Sequence, residues 1–301
     1  MDASVEFVKE LLPSIVNIHT TVPRAHPSAR ILGEERMGSG VVVDGSGLLL
    51  TVNYVVMGAS TIEVAPLKGR RTKGEVVAQD FEIGLALVRT KRQGFTPVAL
   101  GTQRPPERGD PVVAIASSGV QEVRVGGGLV TYLGEFEGYW EYLLDRGIVS
   151  SAPNPGFGGG GLFTLGGRLL GVLQLNLNEI ARSSLSIPVD CYSDNAEELL
   201  RYGRVVSRPK RAWLGVYAHA LEDGVIIAGI VTGGPADKGG LREGDMIVSL
   251  NAEDLSSRRE LYMSLWKHQP GEKLTFEVMR DNSVRRLEIT GGDRADFFKP
   301  V

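Results

Sequence analysis

The stretch Asn154-Pro155-Gly156-Phe157-Gly158-Gly159-Gly160-Gly161-Leu162 limits most sharply what this chain can fold into. Five of its nine residues are glycine and one is proline. Almost none of it can pack a core. Glycine stands where the backbone needs positive φ or must bring its N–H groups close to something. The stretch lies between two strand-like apolar runs, Tyr142-Leu143-Leu144 and residues 168–173. Taken alone, it reads as a flexible surface turn. Its neighbours change that reading.

The chain has 301 residues, 42% hydrophobic and 23% charged. That is a soluble globular composition, long enough for two domains. A net charge of -3 argues against broad electrostatic attraction to nucleic acid. The single cysteine, Cys191, excludes an internal disulfide and a Cys-cluster zinc site, and is read as a small buried or half-buried residue. No cofactor or metal is expected. No apolar run approaches the roughly 20 residues of a membrane span. Residues 1–4 lack a basic region followed by an apolar one, so no signal peptide is read there. The compartment stays open: cytoplasm, or export by a targeting segment outside these residues.

Short strand-like runs punctuated by glycine turns fill the first two thirds. Residues 4–12 have helical spacing at Val5, Val8, Leu11 and Leu12, closed by Pro13. Ile15–His19 reads as a first strand. Residues 20–37 are polar and read as an exposed loop, with no ligand or catalytic role for His19 or His26. Two β-rich runs, residues 38–43 and 48–56, flank Asp44-Gly45-Ser46-Gly47 as a hairpin. Further strands are read at 62–64, 74–78, 85–88, 112–115 and 123–130. Asp194 with Glu197 makes a capping-box pattern for a helix at 196–202, stopped by Gly203.

Asn154 to Leu162 resembles the nucleophile loop of the HtrA/Deg family of trypsin-like serine proteases, Asn-Pro-Gly-Asn-Ser-Gly-Gly-Pro-Leu. Gly38 to Val56 resembles that family's Gly-Ser-Gly, strand, Asp-x-x-Gly, strand, Thr-Asn-x-His-Val-Val. Asp80-Phe81-Glu82-Ile83-Gly84-Leu85-Ala86 resembles Asp-x-x-x-Asp-Leu-Ala. On these patterns the nucleophile position holds Gly158, the histidine position Tyr54 and the triad acid position Gly84. Gly156, Phe157 and Gly158 make up the former oxyanion loop. The resemblance implies an all-β chymotrypsin-like fold of two six-stranded antiparallel barrels over residues 1–203.

Residues 204–211 read as a linker, 212–293 as a small α+β PDZ domain and 294–301 as an unstructured tail. The run Pro235-Ala236 through Gly240-Leu241 and Gly244-Asp245 to Asn251 resembles a PDZ domain closely. A helix is read from Ser257, capped by Glu260, and a core including Val216, Ile226, Ile230, Leu241, Ile247, Leu250, Leu265, Phe276 and Val278. By that resemblance Trp213, Leu214, Gly215 and Val216 form the carboxylate-binding loop, and Leu261 and Leu265 help line the pocket. The expected ligands are C-termini of proteins or peptides.

A serine protease needs a nucleophile, a base in reach and an acid to orient it. Gly158 and Gly84 offer no side chain, and a phenol of reference pKa about 10 is a poor base near neutrality. The sequence therefore favours a catalytically inactive, PDZ-bearing scaffold. Two alternatives stand beside it: an active family endopeptidase using a relocated site around Glu82, Ser39, Ser150 or Ser151, and a regulatory subunit in mixed oligomers with an active paralogue. The N-terminal helix serves either its own domain or a homo-oligomer, a trimer by the resemblance.

Overall fold

Runs of β-branched and large apolar residues separated by glycine turns cannot bury their side chains singly, so they pair into sheets that close on themselves. In the computed structural model, which describes residues 3–91, 94–101, 104–177, 182–222 and 224–299, the chain forms two units. One runs to Phe136 and takes in Leu144–Val206; the other joins Glu137–Leu143 to Ser207–Lys299. Residues Met1, Asp2, Pro300 and Val301, and the side chain of Val5, lie outside the described residues.

The first unit opens with helix α1 (Ala3–Leu11). Six strands then close a barrel: β1 (Ile15–Thr21), β2 (Glu35–Val42), β3 (Leu48–Val52), β4 (Thr61–Pro66), β5 (Thr72–Asp80) and β6 (Leu85–Thr90), in the order β1-β2-β3-β6-β5-β4. β1 pairs antiparallel with β2 (Ile15 opposite Val41) and with β4 (Val16 opposite Pro66). Every residue of β3 is buried, on both faces. A strand buried twice needs cover on its outer side, and the second barrel gives it.

That barrel contains β7 (Ala99–Leu100), β8 (Pro111–Gly119), β9 (Glu122–Gly138), β10 (Tyr142–Ser150), β11 (Gly161–Thr164), β12 (Arg168–Asn176) and β13 (Ser184–Pro188). Among the described residues these form a sheet ordered β11-β8-β9-β10-β13-β12-β7, and pairing of β11 with β12 brings its ends together. Its core includes Val112, Ala114, Ile148, Leu162 and Leu173. β12 lies against β3, and β8 against β1 and β2. The short β7 is an added parallel strand beside β12, beyond the six expected.

Three local expectations are corrected. Residues 20–37 are not an exposed loop: they carry helix α2 (Pro27–Leu32) and the start of β2, and His26, Ser28 and Arg36 are buried. His26 caps α2 with its ring nitrogen. The run 48–56 is a strand only to Val52; Asn53–Val56 is a helical turn, α3. Helices α4 (Asp190–Ser193) and α5 (Ala196–Tyr202) follow, and the Asp194–Glu197 capping box is absent. Asp194 has helical φ and ψ as the last residue of the preceding turn, so it cannot take the extended conformation of an N-cap.

The second unit has β14 (Val216–Leu221), β15 (Gly224–Ile230), β16 (Met246–Leu250), β17 (Glu253–Asp254), β18 (Lys273–Arg280) and β19 (Ser283–Thr290). With them come α6 (Pro235–Lys238), α7 (Arg258–Leu265) and α8 (Arg294–Phe297). Leu214, Val216, Leu241, Leu261, Leu265, Phe276 and Val278 share one core. Ser257 caps α7 by accepting the Glu260 N–H, while the Glu260 carboxylate turns to Ser256. The segment after Asp293 is not structureless as far as Lys299. Asp293 caps α8, and Phe297 and Phe298 pack on Trp213 at 4.9 and 5.5 Å.

Val225 and Ile227 face the core, at 0% and 1% exposure, and Ile226 between them is half-buried. That corrects the expected core by one position on a strand whose side chains alternate. Ile227→Ala should therefore cost about 2–5 kcal/mol of stability and Ile226→Ala clearly less. Denaturant melts followed by tryptophan fluorescence check this, and equal losses would reverse the assignment of faces.

Candidate functional site

Tyr54, Gly84 and Gly158, the positions that the resemblance aligns with a triad, are brought near one another by the fold. α3 follows β3 directly and carries Tyr54. The Asn53 N–H donates to Gly84 O at 2.7 Å, which ties the start of α3 to the turn after β5. In that turn Gly84 has φ 78, and Asp80, the acid the motif keeps, is buried and accepts the N–H groups of Glu82 and Ile83. Asp80 is therefore a turn-former.

Gly158 is where the arrangement is tightest. A Cβ there would sit 1.9 Å from Tyr54 Oη and 3.2 Å from Gln174 O. No real Cβ tolerates the first distance, so residue 158 must lack a side chain while Tyr54 stands where it does. The phenol donates to Gln174 O at 3.1 Å. Burial pushes its pKa up to about 12, so it is a neutral donor throughout the physiological range. Tyr54 thus fills the volume in which a nucleophile's side chain would begin.

The glycine loop is held, not loose. Gly158 to Gly161 are all buried. Gly158 O accepts the Ser39 N–H at 2.7 Å. Ser39 Oγ donates to Phe157 O at 2.9 Å and accepts the Ser117 N–H at 2.9 Å. In the segment expected to correspond to an oxyanion loop, the Gly156 N–H donates to Asn154 Oδ1 at 3.2 Å. The Phe157 N–H donates to Ser117 O at 2.8 Å, and that of Gly159 to Leu173 O at 2.7 Å. The N–H groups of Gly156 and Phe157 are thus both turned to internal acceptors.

Arg36 supports α3 from beneath and was not read as a site residue. Its Nη1 donates to Tyr54 O and Met57 O, both at 2.9 Å, its Nε to Gly33 O at 3.1 Å and its Nη2 to Ser28 Oγ at 2.7 Å. A cation on carbonyls at a helix end is favourable there. Burial brings its pKa down to about 10, so it stays charged at neutral pH. Nothing in the sequence separates Arg36 from Arg24 and Arg30 in the same polar run, so its role is not marked there.

The relocated-site residues do not assemble. Ser39 is fully buried between Phe157 and Ser117. Ser150 Oγ meets Ser184 Oγ and Ala152 O, and Ser151 Oγ accepts the Leu129 N–H. Ser28 Oγ lies 2.7 Å from His26 Nδ1, but both residues are fully buried and that hydroxyl donates to Met57 O. His19 pairs with Glu35 at the surface. Among the described residues no group of His, Cys, Asp or Glu could hold a metal, and Cys191 is half-buried.

In the second unit the residues expected to bind a carboxylate lie around one already there. Glu141 is 4% exposed. Its Oε2 accepts the Leu214 N–H at 3.0 Å, and its Oε1 accepts those of Gly215 at 2.6 Å and Val216 at 2.9 Å. Three successive N–H groups face one point because Gly215 takes φ 82. Burial raises the Glu141 pKa, opposed by the three N–H donors and by Arg294. Leu214, Val216, Leu261 and Leu265 are core residues, at most 2% exposed. Trp213 is turned to Phe297 and Phe298 instead of the nest.

The contact between Tyr54 and residue 158 predicts a sign. Gly158→Ser should cost about 1–3 kcal/mol by overpacking. The same change in a Tyr54→Ala background should cost less, with a coupling of about 1 kcal/mol or more. A double-mutant cycle on melting curves measures it, and strict additivity would mean that the two positions do not compete for space.

Residues 38–172 match the trypsin-like peptidase domain family and residues 212–290 the PDZ domain family. A probable periplasmic serine endoprotease DegP-like of Ectopseudomonas mendocina is 29% identical over 308 residues, covering 95% of this chain. The chain spans only 61% of that relative's length. The serine endoprotease DegS of Haemophilus influenzae is 26% identical over 92% of this chain and 84% of its own. Among solved structures, the HtrA-type protease AlgW with tripeptide superimposes with a TM-score of 0.59 at 26% identity, covering 97% of each chain. A trypsin-like peptidase domain followed by a PDZ domain, alignable over nearly the whole of this chain with such relatives, makes it a homologue of the HtrA-type proteases.

Proposed function

We propose that this chain is a catalytically silent HtrA-like protein that acts as a scaffold or regulator by binding protein or peptide ends through its PDZ domain. One observation carries the first half: the Tyr54 phenol occupies the space beside Gly158 where a nucleophile would stand. Acyl transfer needs an attacking oxygen, a base and a donor pair for the oxyanion. Tyr54, Gly84 and Gly158 offer none of the first two, and the N–H groups of Gly156 and Phe157 are turned to internal acceptors. The second half is supported by the PDZ match and by an N–H nest at residues 214–216 that is chemically suited to a carboxylate.

Assembly as a homo-trimer, or in mixed oligomers with an active relative, belongs to the same proposal and rests on the family alone. An exported location rests on the periplasmic relatives. Among the described residues no helix is long and apolar enough to cross a membrane.

The purified protein, incubated with unfolded casein and with a fluorophosphonate probe beside active trypsin, should give neither cleavage nor labelling. Loss of a complete triad in a comparable protease lowers turnover about a million-fold. Cleavage that survives repurification, or labelling of a defined serine, would overturn the silent reading and restore the endopeptidase alternative.

A further inference from the structure

A C-terminal peptide bound to a PDZ groove makes three kinds of contact: its carboxylate sits in an N–H nest, its backbone adds beside a strand, and its side chains meet the neighbouring helix. Segment Glu137–Leu143 makes all three with the second unit. The carboxylate in the nest is that of Glu141. Two residues earlier, Tyr139 O accepts the Ala218 N–H at 2.7 Å, a strand-addition contact with β14. From α7, Tyr262 Oη donates to Gly138 O at 2.9 Å and accepts the Glu141 N–H at 3.0 Å.

Further along the same helix, Arg258 pairs with the Glu137 carboxylate, and its Nη2 reaches Glu137 O at 3.3 Å. The Tyr139 ring rests against Tyr217 and His219, with centroids at 5.9 and 5.4 Å. Glu141 takes φ 53, a left-handed conformation that a non-glycine residue adopts only where its surroundings hold it. That turn aims its side chain back into the nest. Arg294, from α8, donates to Glu141 O at 3.3 Å on the other side.

We infer that Glu137–Leu143 is the resident ligand of the PDZ groove, with the Glu141 side chain standing in for a chain terminus, and that a C-terminal peptide enters only by displacing it. The inference rests on the carboxylate-capture reading above for its second clause only. The nest cannot hold two carboxylates on the same three N–H groups, so binding and displacement are one event. Apparent affinity is then reduced by the fraction of molecules in which the segment has left. The partner that fits is a free chain end with an apolar last residue, presented at a concentration that competes with a tethered glutamate.

Two measurements on the full chain test the two clauses separately. Hydrogen–deuterium exchange without peptide compares the wild type with Glu141→Ala and with Tyr262→Phe. The second variant keeps the ring and loses only the hydroxyl that grips Gly138 and Glu141. Both changes should speed exchange at Leu214, Gly215 and Val216 while β18 stays protected. Unchanged exchange in both variants overturns the resident ligand.

Fluorescence anisotropy then follows a labelled peptide ending in Val with a free carboxylate, beside its C-terminal amide. The free acid should bind Glu141→Ala about tenfold or more tighter than the wild type, Tyr262→Phe should fall between, and the amide should bind none of them. Equal affinity of the acid for all three proteins overturns displacement and leaves carboxylate capture standing. Faster exchange with no binding of the acid to any protein leaves the resident ligand standing and removes capture of chain ends.

Discussion

The hydroxyl of Ser39 ties three parts of the first unit together. It is fully buried, donates to Phe157 O and accepts the N–H of Ser117. Through it β2, β8 and the glycine loop share one fixed point. A buried polar group left unpaired would cost about 1–3 kcal/mol, so none of the three can shift alone. Asn17 adds to the same seam, donating through Nδ2 to Ser117 Oγ. The glycine loop is therefore framed by both barrels. Its rigidity comes from bonds to the two barrels, not from its own side chains, which are almost all missing.

What could be read from the sequence follows the range of each signal. Alternating strands and glycine turns are local, and the strands at 62–64, 85–88, 112–115 and 168–173 lie within observed ones. The PDZ run around Pro235 and Gly244 is a dense motif. Errors arose where a distant partner decides the outcome. His26 and Arg36 sit in a polar run, and only the fold brings Ser28, Met57 and the Tyr54 carbonyl to them. Ile226 and Ile227 are chemically the same, so their facing depends on register with β14 and β16. The tail became a helix because Trp213, far away in sequence, offers Phe297 and Phe298 a surface. Glu141 had no motif at all, and its meaning appears only beside the backbone of Leu214 to Val216.

Both candidate sites show one physical device. In each, a place suited to an external group is taken by a group from the chain itself. At Gly158 the occupant is a neutral phenol, packed in volume and fixed by one hydrogen bond. At the nest it is a carboxylate, fixed by three. The two differ in how readily they yield. A half-buried aromatic in a packed seam leaves only with rearrangement of its neighbours. A tethered carboxylate on a short segment competes on equal chemical terms with any other carboxylate. The first arrangement is held by packing, and the second by hydrogen bonds that another carboxylate could equally accept.

The steric relation of Tyr54 to residue 158 also makes the two positions interdependent. With 1.9 Å between the phenol oxygen and a would-be Cβ, a side chain at 158 requires the tyrosine to move. Losing the tyrosine leaves a hole beside a bare glycine, which costs packing. Tyr54 and residue 158 therefore share a single volume between two positions far apart in the chain, and a change at either is felt at the other.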